Sequence, residues 1–312
     1  MSKRNIEKEI HEISGFKNLE LLAKQVVEGF ISGLHKSPFH GFSSEFAEHK
    51  IYNQGESTKH IDWKLFAKTD KLYTKRYEEE TNLRCHLIID NSSSMHYPEI
   101  KEFSINSLNK IGFSVLAAAA VMNLMKRQRD AVGLSIYGED YEFYASEKGS
   151  ERHHFMLLDQ LNRALSIPQK QIGTQTHDHL HLIAEKLKRR SLVFLFTDML
   201  QSDVETEKLF EALQHLKYNK HEVILFHTID KNKEVDFDFS NRPKRFVDVE
   251  TGEHMDLYAD TIKNSYSKAV KEYFSELKLR CAQYRIQYVE SDINEDFQRI
   301  LLTYLVERQK FG

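Results

Sequence analysis

Hydrophobic positions in this chain change rhythm near residue 80. Beyond it, short apolar runs alternate with longer stretches in which apolar residues recur every three or four positions. The short runs predict strands at Arg84–Ile89, at Ala131–Tyr137 (Val132, Leu134 and Ile136 alternate), up to Asp198, at His221–His227 and at Arg285–Val289, with Glu142–Ala145 as a short edge partner. The longer ones predict helices over Phe103–Lys126, Glu151–Leu165, His177–Arg190, Asp203–Leu216, Ala259–Tyr284 and Asn294–Arg308. Strand and helix in alternation predict an α/β fold: a doubly wound, mostly parallel central sheet flanked by helices. Continuous apolar strands such as Val223-Ile224-Leu225-Phe226 fit burial on both faces.

Before residue 80 the pattern differs. Ile6–Ile13 and Leu19–Ile31 have helical spacing, whereas Gly41–Glu80 is polar, aromatic and irregular. Leu72-Tyr73-Thr74-Lys75-Arg76-Tyr77 alternates like a strand, which suggests a β-hairpin laid over the main sheet with Trp63, the single tryptophan, as a core anchor. The expected organisation is a segment 1–80 packed on a core domain 81–312.

Two strands end in aspartate. Leu87-Ile88-Ile89 leads into Asp90-Asn91-Ser92-Ser93-Ser94-Met95, and Leu192-Val193-Phe194-Leu195-Phe196-Thr197 leads into Asp198. Asp90, Ser92 and Ser94 can turn three oxygens toward one point, the all-oxygen ligation that hard cations such as Mg²⁺ favour. The carboxyl end of a strand is also where open α/β sheets bind ligands. Read blandly, the same residues would cap turns and helices.

Composition narrows the possibilities. With 312 residues, 40% hydrophobic and a net charge of −3, the chain gives no electrostatic case for binding nucleic acid. No apolar run reaches the roughly 18 residues that cross a bilayer. The start, Met1-Ser2-Lys3-Arg4-Asn5-Ile6-Glu7, lacks a signal peptide's apolar core. Two cysteines, Cys85 and Cys281, both in apolar patterns, make no disulfide framework, so a reduced cytoplasmic protein is expected.

The chain resembles the bacterial domain-of-unknown-function fifty-eight family, whose core is a von Willebrand factor A-like domain. The residues that carry the resemblance are Gly55-Glu56-Ser57-Thr58-Lys59-His60-Ile61-Asp62-Trp63-Lys64-Leu65-Phe66-Ala67-Lys68-Thr69, then Leu72, Lys75 and Glu78, then Asp90 to Met95. Lys68 stands where the family typically has arginine. The resemblance implies a metal-ion-dependent adhesion site holding Mg²⁺ or Mn²⁺, with Asp90, Ser92, Ser94 and the late Asp198 as ligands. It also implies a threonine: Thr174, following Gly173, fits the family pattern, with Thr176 in reserve. It further implies a non-catalytic adaptor that binds a partner's carboxylate through the metal. That adaptor would work with a MoxR-type AAA+ ATPase in maturing client proteins, without stable membrane insertion.

Two other chemistries compete. His177-Asp178-His179-Leu180-His181 places His177 and His181 on one helical face, the spacing of a zinc pair, but no third ligand is evident. Solvent-facing or helix-start histidines explain the cluster. No phosphate-binding Gly-x-x-x-x-Gly-Lys loop and no Gly-x-Ser-x-Gly elbow occurs. The enzymatic alternative is a Mg-dependent phosphatase or phosphotransferase of haloacid-dehalogenase type. That chemistry wants a second aspartate two residues after the first, where Ser92 stands.

Overall fold

Four apolar strands lie side by side in parallel because their side chains are buried on both faces and their ends feed helices to both sides. The computed structural model describes residues 19–28, 48–51, 63–76, 83–100, 103–104, 107–138, 143–166, 176–199, 203–240, 243–247 and 254–295. The predicted helices Ile6–Ile13 and Asn294–Arg308 lie essentially outside these, as do Gly55–Asp62 and Thr174. The chain divides into two units, one of residues 1–38 with 83–312 and one of 39–82.

In chain order, the described elements begin with helix α1 (19–28), strand β1 (Glu48–Ile51), helix α2 (Trp63–Thr69) and strand β2 (Tyr73–Arg76). Next come β3 (Arg84–Asp90), α3 (Lys110–Arg127), β4 (Ala131–Tyr137), β5 (Phe143–Lys148), α4 (Glu151–Ser166) and α5 (Thr176–Lys186). Then follow β6 (Leu192–Thr197), α6 (Asp203–Tyr218), β7 (Glu222–Ile229), the hairpin β8 (Pro243–Val247) and β9 (His254–Tyr258), α7 (Ala259–Gln283) and β10 (Gln287–Asp292).

The six-stranded sheet has the order β10-β7-β6-β3-β4-β5, and only the edge strand β5 is antiparallel to its neighbour. This is the α/β architecture expected, and β10 does return to the sheet beside β7. From β3 the chain moves one way to β4, and from β6 it moves the other way to β7 and β10. The order therefore reverses between β3 and β6, whose register pairs Ile89 with Phe196. Connections leaving the two strands diverge to opposite faces: α3 packs on β3 and β4, while α5, α6 and α7 cover the face carrying Ile88, Val193, Leu195, Val223 and Leu225. Such a reversal opens a crevice at the strands' carboxyl ends, and Asp90 and Asp198 stand there.

Helix α3 starts seven residues later than Phe103, the expected start. Asn109 caps it, its side chain accepting the Gly112 N–H at 2.9 Å, and the helix is buried nearly all round. The hairpin β8–β9 carries too many charges to show a strand period in the sequence. No helix among the described residues is long and apolar enough to cross a membrane, and Cys85 and Cys281 are free and buried.

In the smaller unit, β1 and β2 pair antiparallel, with α2 between them in sequence. Trp63 is not the core anchor expected: it is 62% exposed, and α2 buries none of its residues. A one-turn gap brings Phe66 under its ring at 6.2 Å, edge to face. That pairing gives Trp63 a local apolar contact in place of a core.

Several buried histidines are held neutral. Burial lowers His227 and His96 from the ordinary 6.5 to about 4 each. His227 is satisfied as a neutral ring, donating from Nε2 to the Asp198 carbonyl at 2.7 Å and accepting the Tyr288 hydroxyl at Nδ1 at 2.6 Å. A lowered histidine favours the folded state above the unfolded pKa and loses that contribution as pH falls through the folded one. Each shift is worth about 3 kcal/mol. Asp90, raised by burial and by Asp198 to about 6, works the opposite way and offsets about one of the two. The midpoint of urea unfolding should therefore drop between pH 6.5 and pH 4; a midpoint that holds or rises would contradict this account.

Candidate functional site

Asp90 ends β3 level with Thr197 at the end of β6, and Asp198 comes one residue further. Asp90 Oδ1 accepts the Ser92 N–H at 3.0 Å, the local turn that aspartate makes with its own backbone two residues on. Its Oδ2 accepts the Thr197 hydroxyl at 2.7 Å. Within the turn, Ser92 Oγ and Ser94 Oγ are 3.1 Å apart. Asp90, Ser92, Ser94 and Asp198 are all buried.

Met199, directly after Asp198, has φ 53°, a left-handed conformation that costs a non-glycine residue about 1–2 kcal/mol. Its neighbours hold it there: its N–H donates to Thr197 Oγ1 at 3.2 Å and its carbonyl accepts the Tyr273 hydroxyl at 2.5 Å. Backbone strain fixed in this way is characteristic of functional positions.

Two charged residues of the site were absent from the sequence reading. Lys110, the first residue of α3, is fully buried and donates to Asp198 Oδ2 at 2.8 Å and to Glu234 Oε1 at 2.5 Å. Glu234 sits in a single wide helical turn, Lys231–Val235, after β7, and its other oxygen accepts the Asp230 N–H at 2.7 Å. Burial pulls the Lys110 ammonium down, but Asp198 and Glu234 more than reverse this, so it stays charged. Burial also raises Glu234, against the lowering effect of Lys110. A signal for Lys110 was available: a cation in the first turn of an otherwise apolar helix opposes the helix dipole and needs a carboxylate partner. Nothing in Lys231-Asn232-Lys233-Glu234-Val235 marks Glu234.

These side chains set the charge of the site. Among the described residues, three buried or nearly buried carboxylates, Asp90, Asp198 and Glu234, lie at these strand ends, and the ammonium of Lys110 serves Asp198 and Glu234. The Tyr137 hydroxyl is buried beside Asp90 and Thr197, and its pKa is pushed up by burial and by Asp90. Burial and the neighbouring Asp198 raise the Asp90 pKa, and a divalent cation would relieve the repulsion between the two carboxylates. The donors are carboxylate and hydroxyl oxygens, the set a hard cation takes. The residues present thus fit Mg²⁺ or Mn²⁺, with Asp90, Ser92, Ser94 and Asp198 as the groups that would hold it. Thr174 lies outside the described residues; the reserve candidate Thr176 is the buried first residue of α5.

The histidines do not assemble a zinc site. His181 pairs with His215 of α6, Nδ1 to Nδ1 at 2.9 Å, rather than with His177. His179 stacks on Tyr137 at 5.5 Å, and His177 is buried rather than facing solvent. Among the described residues, no group of three or more His, Cys, Asp or Glu side chains is placed to hold a metal. A Ser–His–Glu array does exist: His86 bonds Glu147 at 2.8 Å through Nδ1 and Ser135 at 2.7 Å through Nε2. With Ser135 1% exposed in the middle of β4, it is a buried strand-to-strand network rather than a nucleophile open to substrate.

The model of the family described as "Protein of unknown function DUF58" matches residues 48–275. Relatives at 24% identity include the uncharacterized protein Rv1480 of Mycobacterium tuberculosis and the uncharacterized protein Mb1516 of Mycobacterium bovis. Each matches over 190 residues, which is 60% of this chain and 57% of the relative. The chain therefore spans little more than half the length of these relatives. Among solved structures, similarity extends to the conserved hypothetical protein BatB from Bacteroides thetaiotaomicron (11% identity, 74% of this chain and 100% of that one, TM-score 0.42). An aerotolerance-related membrane protein from Bacteroides fragilis is similar to the same degree (12% identity, 72% of this chain and 99% of that one, TM-score 0.42).

Proposed function

The chain belongs to the DUF58 family, and from that premise and the chemistry around Asp90 we propose that it is a non-catalytic, metal-dependent protein-binding adaptor. The observation that carries this reading is the pair of buried carboxylates, Asp90 and Asp198, at the ends of adjacent parallel strands beside the Ser92 and Ser94 hydroxyls. With Mg²⁺ or Mn²⁺ bound there, the protein supplies few carboxylates, so a carboxylate from a partner can complete the shell. A metal-bridged carboxylate gives strong specificity, because a neutral group compensates the ion's charge less well. The resemblance noted in the sequence supplies the partner of this proposal: a MoxR-type AAA+ ATPase or its client, met in the cytoplasm. Ser92 occupies the place where a phosphatase of haloacid-dehalogenase type needs its acid, which favours binding over phosphoryl transfer.

Capture of a purified MoxR-type ATPase, with Mg²⁺ or with EDTA, tests the reading. Asp90→Ala and Asp198→Ala should lose capture, and EDTA should do the same to wild type. His177→Ala with His181→Ala should retain it. The loss should appear as dissociation at least about tenfold faster with little change in association, as for short-range contacts. Unchanged off-rates in Asp90→Ala would move the interface elsewhere, first to the 41–80 segment.

A further inference from the structure

We propose that Lys110 is the resident counter-ion of this site: its ammonium competes with the divalent cation for Asp198, withdraws onto Glu234 when the cation binds, and so selects divalent over monovalent ions. The inference rests on the metal-binding reading above and adds a residue that neither the motif nor the family resemblance contains.

Its basis is the sharing of one ammonium between carboxylates on two separate elements. Asp198 follows β6, at 2.8 Å from Lys110 Nζ, and Glu234 follows β7, at 2.5 Å. Glu234 is a fixed seat, because the Asp230 N–H holds its second oxygen at 2.7 Å. Lysine carries three donors on a flexible stem, so its head can leave Asp198 for Glu234 by rotation about side-chain bonds while α3 stays in place. Because Lys110 is fully buried, its charge is weakly screened and acts at nearly full strength a few ångströms from the ion. A monovalent ion brings no more charge to Asp198 than the ammonium already supplies, and so has little to gain by displacing it. A divalent ion brings one charge more. Two opposite effects follow. Removing Lys110 should tighten divalent binding and admit monovalent competitors. Removing the charge of Glu234 should leave the ammonium wholly on Asp198 and weaken divalent binding.

Calorimetric titration of Mn²⁺ into wild type, Lys110→Met and Glu234→Gln, with and without excess KCl matched for ionic strength by a bulky-cation salt, tests this. Lys110→Met should bind Mn²⁺ at least about tenfold more tightly than wild type, and Glu234→Gln at least about tenfold more weakly, since one unit charge a few ångströms away has effects of that order or larger. K⁺ should compete in Lys110→Met and not in wild type. General loosening of the site would weaken binding in both variants, so the opposed signs report charge and not packing. Equal or weaker binding by Lys110→Met, or equal or tighter binding by Glu234→Gln, would overturn the inference while leaving the metal site in place. If Lys110→Met fails to fold, Lys110→Gln, which removes the charge but keeps a polar head for Asp198 and Glu234, takes its place under the same criteria. If wild type takes up no more Mn²⁺ than Asp90→Ala, the metal reading itself fails and this inference falls with it.

Discussion

Lys110→Met should lower the stability of the protein in EDTA by about 3–5 kcal/mol, the usual cost of removing one partner from a buried ion pair. The substitution keeps most of the side-chain volume, so packing at the head of α3 is little disturbed. What it leaves behind is Asp198 and Glu234, 4% and 13% exposed, without the cation that both of them bond. Part of the loss should return in excess Mn²⁺, because a ligand that binds only the folded state stabilises it in proportion to the logarithm of its concentration over its dissociation constant. Urea unfolding with EDTA and with Mn²⁺ measures both quantities. A midpoint in EDTA equal to that of wild type would mean that the Lys110 contacts contribute nothing net to stability.

Gly133→Ala should cost about 1–3 kcal/mol, although it adds one methyl group. A Cβ at this position in β4 would meet His86 Nδ1 at 2.5 Å and the Ala145 carbonyl of β5 at 2.8 Å. His86 uses that nitrogen to hold Glu147, itself kept below the ordinary carboxylate range by its bonds to His86 although burial raises it. The methyl must therefore push β5 outward or break the His86–Glu147 bond. The first is overpacking, at about 1–3 kcal/mol, and the second costs a buried charge-assisted hydrogen bond, at about 1.5–3 kcal/mol. Thermal or urea unfolding of Gly133→Ala gives the answer directly, and an unchanged midpoint would show that β5 yields freely.

How far the sequence reveals this molecule depends on whether a residue's partner is near it in sequence or only in space. The strands β3, β6 and β7 were legible because burial on both faces makes each a nearly continuous apolar run, and β4 because Val132, Leu134 and Ile136 alternate. Asp90 and Asp198 were legible because each follows such a run directly, and the reversal of strand order places both at one crevice. Lys110 carried a signal as a cation at the start of an apolar helix, but its partners did not, because they lie 88 and 124 residues away and the strand order that joins them has no local signature. His86, Ser135 and Glu147 were hidden for the same reason: the first two sit singly in apolar strands, Glu147 lies between Ser146 and Lys148 at the polar end of an edge strand, and only the pairing of β3 with β4 and of β4 with β5 makes them a network. The late start of α3 reflects a competition between period and cap. Apolar spacing extends back to Phe103, but Asn109 supplies the hydrogen bond that starts the helix. Trp63 followed a rule of averages, that a lone tryptophan packs inward, and the structure places it outward.

Because the adaptor reading, the role of Lys110 and the partner all depend on an ion at Asp90, titration of Mn²⁺ into wild type and Asp90→Ala at pH 7.5, followed by calorimetry, tests the account most directly. Wild type should bind one ion weakly, since only two carboxylates face it and Lys110 competes for one of them. Asp90→Ala should bind none, with Ser92→Ala and Ser94→Ala between the two. The Asp90→Ala protein should melt no lower than wild type in EDTA, because it loses a buried carboxylate that the neighbouring Asp198 opposes. Equal Mn²⁺ affinity in wild type and Asp90→Ala would contradict the account.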